Sequence, residues 1–428
     1  MERSGTTNHM RLLFLSFAFP LPANNGQRMR TWAVLKSLAA EGHELTLLTF
    51  GEQTEDELRN YELQQVCQTI EIVPLALRSL SSTTNYLARF AGIFASEPYA
   101  ARRFVSPQMR EAIEVHLLRG LYDAVVCDAP YSAVNLPGTD VPVILNCHNV
   151  EHQLLSRYVA IEHNPFKRFY AWSEMRKLRK WEQCTCRQAT AVLACSELDR
   201  QLLISLVQGL HVTVVPNVVD VDSYVGQDLD TVPTIQFQGG MDWLPNRDAV
   251  SFFVGKILPI LRQMAPQVRF VVAGRNPSAA FIKKFANIQG IEFTGNISDM
   301  RAEIAKASLC VVPLRIGSGT RLKILESAAM AKPIVSTRIG AEGLDFVNGE
   351  EIVLVDEPTA FARAVADLLA DPSRRRALGL AARRRVEAQY SMASLRSALR
   401  ESLAKIPAVP FSSAPLSDMN GVEAGVRP

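Results

Sequence analysis

Short runs of almost wholly apolar residues recur along this chain, spaced so that a helix fits between one and the next. In the first half they are RLLFLSF, ELTLLTF, TIEIVPL, YDAVVCD, VPVILN, ATAVLAC and HVTVVPN. A strand that is apolar at every position has to be covered on both faces, as strands of a parallel sheet are when helices flank them. After Pro216 the pattern lapses, and VVDVDSYVGQDLDTVP, with no helical period, reads as a linker. The alternation restarts with TIQFQG, RFVVAG, IEFTG, LCVVPL, PIVST and EIVLV. Two doubly wound, Rossmann-like α/β domains are therefore expected, over 10–215 and 233–390, with an interdomain linker over 216–232. A last helix is expected over 391–406, and the tail 407–428, rich in Pro, Ser and Gly, reads as disordered. Open sheets of this kind bind ligands beyond the carboxyl ends of their strands. A linker of this length lets two such edges face each other across a central cleft, so the chemistry is expected in strand-to-helix loops of both halves.

Composition narrows this picture. The 428 residues are 48% hydrophobic and 21% charged, enough for two full cores and unlike a disordered or fibrous chain. Lys and Arg number 46 against 43 Asp and Glu, a net charge of +3, too small for a global field, and no nucleic-acid partner is expected. Seven scattered cysteines, mostly inside apolar runs, read as buried thiols of a reducing compartment. Cys184 and Cys186 lie close together without further Cys or His at ligand spacing. Arg11 with LLFLSFAFPLPA could mimic a secretory signal. That run, however, carries Pro20 and Pro22 and leads through ANNGQ into a helical stretch and a second apolar strand, as the first strand of a fold does. No run approaches about 18 uninterrupted apolar residues, so no transmembrane helix is expected and the protein reads as cytoplasmic.

Three loops hold candidate chemistry. In PLPANNGQRMR, Gly26 permits a close backbone approach at the start of a helix whose free N–H groups favour an anion, and Arg28 and Arg30 add charge. An ordinary tight turn with two surface arginines is the plainer alternative. In CHNVEH, His148 follows a buried strand directly, beside Asn149, where an imidazole can donate to a sugar hydroxyl or phosphate or exchange protons. A helix-capping His–Asn pair fits the spacing equally well. The strongest constellation is LCVVPLRIGSGTRLKILESAAMAKPIVST, which runs strand, glycine-containing loop, helix, strand. Gly317, Ser318, Gly319 and Thr320 open that helix, where free amides and the macrodipole can hold phosphate oxygens. Arg321 and Lys323 bring cations to an end that usually favours carboxylates, and Glu326 lies within reach of a group beyond the phosphates, such as a ribose. Pairing of Glu326 with Lys323 or Lys332 on the helix surface is the alternative.

With these residues in view, the chain resembles a retaining glycosyltransferase of the GT-B architecture, of the group 1 or family 4 kind that uses nucleotide-sugar donors. The matching stretches span almost the whole chain: PLPANNGQRMR, LAAEGHELTLLT, NCHNVE, ACSELDRQLL, VPNVVD, GGMDWLPNRDAV and GSGTRLKILESAAMAKPIVSTRIGAEGL. The last of these, with GGMDWLPN, is similar to sugar transferases of bacterial exopolysaccharide systems. The resemblance implies that Gly26 approaches the donor phosphates and that His148 contacts the donor sugar. It also implies that Lys323 and the amides from Gly319 to Leu322 hold the diphosphate, and that Glu326 binds the ribose. Many members carry a Glu where this chain has Ser318, and an Arg and a Lys where it reads GGMDWLPN and offers Asn246. Arg321 and Lys323 are expected to replace those missing cations.

The function read from the sequence is sugar transfer from a nucleotide-diphosphate donor to a glycan or lipid-linked acceptor, with no cofactor. A non-catalytic nucleotide-sugar-binding subunit, or an epimerase or phosphorylase on the same architecture, are the rivals. No metal is expected: Asp220 with Asp222, and Asp228 with Asp230, match D-x-D only inside the linker. The stretch FKRFYAWSEMRKLRKWEQCTCR, from Phe166 to Arg187, mixes cations with aromatics as an interfacial helix does. A charge-rich helix with one aromatic face in the core is the commoner explanation, and peripheral contact with the inner face of the cytoplasmic membrane is the other.

Overall fold

A computed structural model of the chain describes residues 9–52, 57–75, 95–120, 122–225, 233–297 and 299–406. Each of the apolar runs forms a strand. In the first half these are β1 (Arg11–Ser16), β2 (Glu44–Gly51), β3 (Thr69–Pro74), β4 (Ala124–Asp128), β5 (Val143–Asn146), β6 (Ala191–Ala194) and β7 (Val212–Val214). In the second they are β8 (Thr234–Gln238), β9 (Arg269–Ala273), β10 (Ile291–Gly295), β11 (Leu309–Val312), β12 (Ile334–Ser336) and β13 (Val353–Leu354). The strands build two sheets in the orders β3-β2-β1-β4-β5-β6-β7 and β10-β9-β8-β11-β12-β13, and every pairing is parallel.

The two-residue period of a strand explains why β1 is apolar throughout. Leu12 and Phe14 pack on one face of the sheet with Leu45, Leu47 and Val126. Leu13 and Leu15 pack on the other with Leu48, Phe50 and Val125. The stretch that mimicked a signal is thus a central strand, flanked by β2 and β4. Six of the seven cysteines are buried and Cys184 is exposed. Among the described residues no helix is long and apolar enough to cross a membrane.

The chain passes between the two sheets twice. The first passage follows β7. The second follows Tyr390, where the helix Met392–Leu403 returns to the first sheet. Its Leu395, Leu399 and Leu403 join the cluster of Val34, Leu35 and Leu38, and the Arg400 guanidinium forks onto Glu41 at 2.8 and 2.9 Å. The passages touch, Val219 N donating to Tyr390 O at 3.0 Å. The sequence indicated a helix here, and its docking on the far domain is a product of long-range packing. The expected tail 407–428, the linker residues 226–232 and the Asp228–Asp230 pair lie outside the described residues.

Candidate active site

Strand order reverses beside the first strand of each sheet, between β1 and β4 and between β8 and β11. The crevices at those switch points are where doubly wound sheets take ligands. The loop leaving β1 enters the helix Gly26–Ala40, and the loop leaving β11 enters the helix Leu322–Ala329. The two helix starts meet: a Cβ built on Gly26 would lie 3.4 Å from Leu322 Cδ1. Asn25 caps the first helix, its Oδ1 accepting from Arg28 N at 3.0 Å. At the second, Arg321 occupies the capping position and its side chain makes no capping bond. Two positive helix ends therefore converge on one place, which suits an anion bound between them.

His148 stands at the carboxyl end of β5 with Nε2 2.7 Å from Asp128 Oδ1. Asp128 is the last residue of β4, is fully buried, and was not singled out from the sequence. Its Oδ1 also accepts from Asn146 Nδ2 at 2.8 Å, and its Oδ2 from Thr31 Oγ1 at 2.6 Å and Ser16 Oγ at 3.3 Å. Burial pushes this carboxyl up, but the His148 imidazole and the bonds from His148, Thr31 and Asn146 outweigh it and hold Asp128 below the usual carboxylate range. An ionised carboxylate only accepts, so Nε2 carries the proton and Nδ1 is left for a ligand hydroxyl. A carboxylate closing an otherwise apolar strand was the signal, since a buried charge requires partners.

Arg30 is buried and points inward. Its Nε and Nη2 donate to Asn146 Oδ1 at 3.1 and 2.6 Å, and its Nη1 donates to Val215 O at 2.9 Å and Asn217 Oδ1 at 3.0 Å. Asn217 in turn donates through Nδ2 to Thr320 Oγ1 at 2.6 Å. One chain of hydrogen bonds thus runs His148–Asp128–Asn146–Arg30–Asn217–Thr320, from the first domain to the glycine-containing loop of the second. Arg30 acts through this chain as a positioning residue.

In that loop Gly319 has φ +69°, and a Cβ there would come 2.8 Å from Asn149 Cβ and 3.0 Å from His148 O. Both the left-handed backbone and the close approach require glycine. Arg321 turns back on its own loop, its Nη1 donating to Ser318 O and Gly319 O and its Nη2 reaching Ile339 O at 3.4 Å. Its guanidinium holds the loop's shape where the sequence had offered it as a cation for the donor. Burial lowers its pKa to about 10. A Cβ on Gly317 would collide with that guanidinium. Ser318 Oγ and Asn149 Oδ1, on the two sides of the cleft, are buried without a hydrogen-bond partner, open acceptors for a ligand.

In the first turn of the helix, Lys323 Nζ donates to Asn246 Oδ1 at 2.8 Å and lies 4.1 Å from the centroid of the Phe237 ring. Burial lowers its pKa to about 7, with Arg321 repelling in the same direction and Glu326 opposing. Glu326, on the same face, accepts from Tyr224 Oη at 3.1 Å through Oε1 and from Gln238 Nε2 at 3.3 Å through Oε2. Burial raises it to about 7 against the bond from Tyr224 and the charge of Lys323. Asn246 is anchored by Nδ2 to Gly240 O at 2.8 Å, so it presents its oxygen to Lys323. The site thus holds a desolvated amine and a desolvated carboxyl three residues apart, beside two helix ends.

Arg157, on the helix Glu151–Ile161, crosses the cleft, forking onto Glu342 at 2.5 and 2.6 Å and donating to Gly317 O. Arg275 Nη1 reaches Asn24 Oδ1 at 3.3 Å elsewhere along the same cleft. With these contacts made, the void among Ser196, Asp199, Ser318, Gly319 and Glu342 is only about 10 Å³. Asp220 and Asp222 are exposed, in the stretch after β7. Among the described residues no group of three or more His, Cys, Asp or Glu is arranged to hold a metal ion.

Residues 24–223 match the family described as Glycosyltransferase Family 4, and residues 232–371 match Glycosyl transferases group 1. A 44.6 kDa protein of the cps region of Klebsiella pneumoniae is 22% identical over 369 residues, spanning 83% of this chain and 90% of that protein. The GDP-mannose-dependent α-(1-6)-phosphatidylinositol monomannoside mannosyltransferase of Mycolicibacterium smegmatis is 30% identical over 142 residues, 30% of this chain and 37% of that protein. Among solved structures, HepE of Anabaena in complex with UDP and glucose superposes with a TM-score of 0.62 at 12% identity, covering 93% of this chain and all of that one. Two parallel sheets facing one cleft, and both family matches laid in order along them, make this chain a glycosyltransferase of the GT-B fold, belonging to the group 1 and family 4 enzymes.

Proposed function

We propose that this chain moves a sugar from a nucleoside-diphosphate donor, with retention at the anomeric carbon, to a glycan or lipid-linked acceptor. The setting is exopolysaccharide or glycoconjugate assembly at the inner face of the cytoplasmic membrane. The observation that carries this reading is the meeting of two helix starts at Gly26 and Leu322, with Lys323 and Glu326 on the helix that Leu322 begins. A diphosphate needs amides and a cation, a ribose needs a carboxylate, and one turn of helix offers both. The cps-region relative, the GDP-mannose-dependent relative and the neighbour crystallised with UDP and glucose support it.

In this reading the diphosphate lies between the two helix ends with Lys323 against it, and Glu326 accepts from the ribose hydroxyls. As the bond from the anomeric carbon to the phosphate oxygen breaks, negative charge gathers on the departing phosphate, where fixed dipoles and Lys323 stabilise it. The acceptor oxygen bonds the same carbon from the same face, and its proton passes to the leaving phosphate oxygen. His148, oriented by Asp128, accepts from a sugar hydroxyl through Nδ1. Asp128 already accepts from His148, Asn146, Thr31 and Ser16, which suits an orienting role better than attack on carbon. No metal ion is needed in this scheme.

A thermal-shift screen over nucleotide sugars tests the donor, because a ligand at a hundred times its dissociation constant adds about 2.7 kcal/mol of stability. Transfer of the best donor to a lipid-linked acceptor, with the product anomer read by NMR in excess EDTA, tests the rest. An inverted product, or activity lost to EDTA and restored by Mg²⁺ or Mn²⁺, overturns the corresponding part.

A further inference from the structure

The helix Pro165–Gln188 carries seven cations and only two carboxylates. Both carboxylates face inward. Glu174 accepts from Tyr99 N at 2.8 Å and pairs with Lys177 at 2.9 Å. Glu182 accepts from His152 Nδ1 at 2.6 Å and Glu151 N at 2.9 Å. With Ala171, Leu178, Thr185 and Cys186 they form the buried face. The aromatics divide. Trp181 stacks on Tyr131 at 5.5 Å, as a core aromatic does. Phe166, Phe169 and Trp172 remain 85%, 57% and 40% exposed.

Phe169, Trp172, Arg176 and Lys180 follow one another at spacings of three and four, so they share one stripe on the side opposite Ala171, Glu174 and Leu178. The Trp172 ring lies 5.9 Å from Phe169, and the Arg176 guanidinium stands 5.0 Å over it. Arg168 and Arg179 are exposed beside the stripe, and Arg187 continues it toward the end of the helix. Exposed aromatics ringed by cations, with every carboxylate of the helix turned inward, match an anionic bilayer in both parts: rings for the interface and cations for the headgroups.

We propose that this outward face docks the chain on an anionic lipid surface. The proposal gives a place to the membrane-side part of the functional reading and rests on that reading only for its purpose. The test uses the full chain without donor or acceptor, floated with phosphatidylcholine vesicles that contain about a third phosphatidylglycerol. Binding to these vesicles, its loss as salt is raised, and little binding to pure phosphatidylcholine are expected. A Phe169→Ser with Trp172→Ser variant and an Arg176→Glu with Lys180→Glu variant should each lower partitioning at least tenfold. Their thermal melting should match the parent, since all four side chains lie on the outward face. Equal binding to neutral vesicles, or variants that float like the parent, overturns the proposal. A chain that transfers sugar to a soluble acceptor yet ignores vesicles loses this face and keeps its function. One that floats and transfers nothing does the reverse.

Discussion

Asn217 reaches out of the stretch between β7 and β8 and donates its side-chain amide to Thr320 Oγ1 at 2.6 Å. Its own oxygen accepts from Arg30 at 3.0 Å, so the loop that would meet a donor is tied to the buried polar chain behind His148. Asn217→Ala removes that tie. A net loss of about 1 kcal/mol is expected in thermal or urea melting. Nucleoside diphosphate affinity should weaken roughly fivefold to tenfold, as read by calorimetry, since about 1.4 kcal/mol corresponds to a factor of ten. Unchanged affinity in a destabilised variant would show that the tie serves the hinge alone.

Lys323 sets a pH dependence. With its pKa lowered to about 7 in the free site, it is largely neutral above that pH, while a bound diphosphate favours the ammonium form. Binding therefore takes up a proton on the alkaline side. Affinity should fall as pH rises from about 7.5 toward 9, by up to tenfold per unit. Calorimetry in buffers of different ionisation enthalpy measures the uptake directly, and Lys323→Gln should both weaken binding and flatten the slope. A slope that survives in the variant assigns the proton to another group.

The two cations of the loop should separate in stability. Arg321 donates to carbonyls of Ser318, Gly319 and Ile339, so Arg321→Ala leaves buried acceptors unmet. It should cost roughly 1–3 kcal/mol, several degrees in melting temperature for a domain of this size. Lys323 is a desolvated amine whose charged form is disfavoured by burial. Lys323→Met should melt at or above the parent temperature while losing donor affinity. If Lys323→Met proves the less stable of the two, Lys323 is a structural cation.

Glu326→Gln should keep the fold, since the amide oxygen can take the place of Oε1 and still accept from Tyr224 Oη. Donor affinity should drop by about 1–2 kcal/mol, because a neutral amide accepts ribose hydroxyls less strongly than a carboxylate. The same variant should lose its discrimination between a nucleotide and its 2′-deoxy analogue. Retained discrimination would move the ribose contact elsewhere.

His148→Ala should lower sugar transfer by roughly two to four orders of magnitude while nucleoside diphosphate binding persists. Asp128→Asn should lower transfer as well, by releasing the imidazole orientation. It should also cost stability, because Asn146 Nδ2 and Thr31 Oγ1 both donate to this side chain. Equal loss of nucleotide affinity in His148→Ala would place the imidazole at the phosphates.

What could be read in advance divides along physical lines. The central strands were legible because burial on both faces leaves a strand few polar positions, as Leu12 to Leu15 illustrate. The glycine-containing loop and the Lys323–Glu326 turn could be singled out because a loop and the helix it opens are contiguous in sequence. Arg30 with Val215 and Arg157 with Glu342 were not, since each pair is 185 residues apart and neither partner carries a local mark. The loop-holding bonds of Arg321 were hidden for a related reason: a guanidinium that faces a ligand and one that folds onto its own loop look alike in sequence. Phe166, Phe169 and Trp172 could be read as core or as surface until the buried side of their helix was known.

The two passages of the chain between the sheets, bonded to each other through Val219 N and Tyr390 O, act as a hinge pin with two strands in it. A single connector would let the halves swivel as well as part. Two connectors side by side, the second clasped to the first domain by Leu395, Leu399 and Leu403, oppose swivelling and favour opening about one axis. Arg157 of the first domain clasps Glu342 and Gly317 O of the second, so the halves part only as that clasp opens. The strength of that clasp sets how often the halves stand apart, while the paired connectors set the path along which they move.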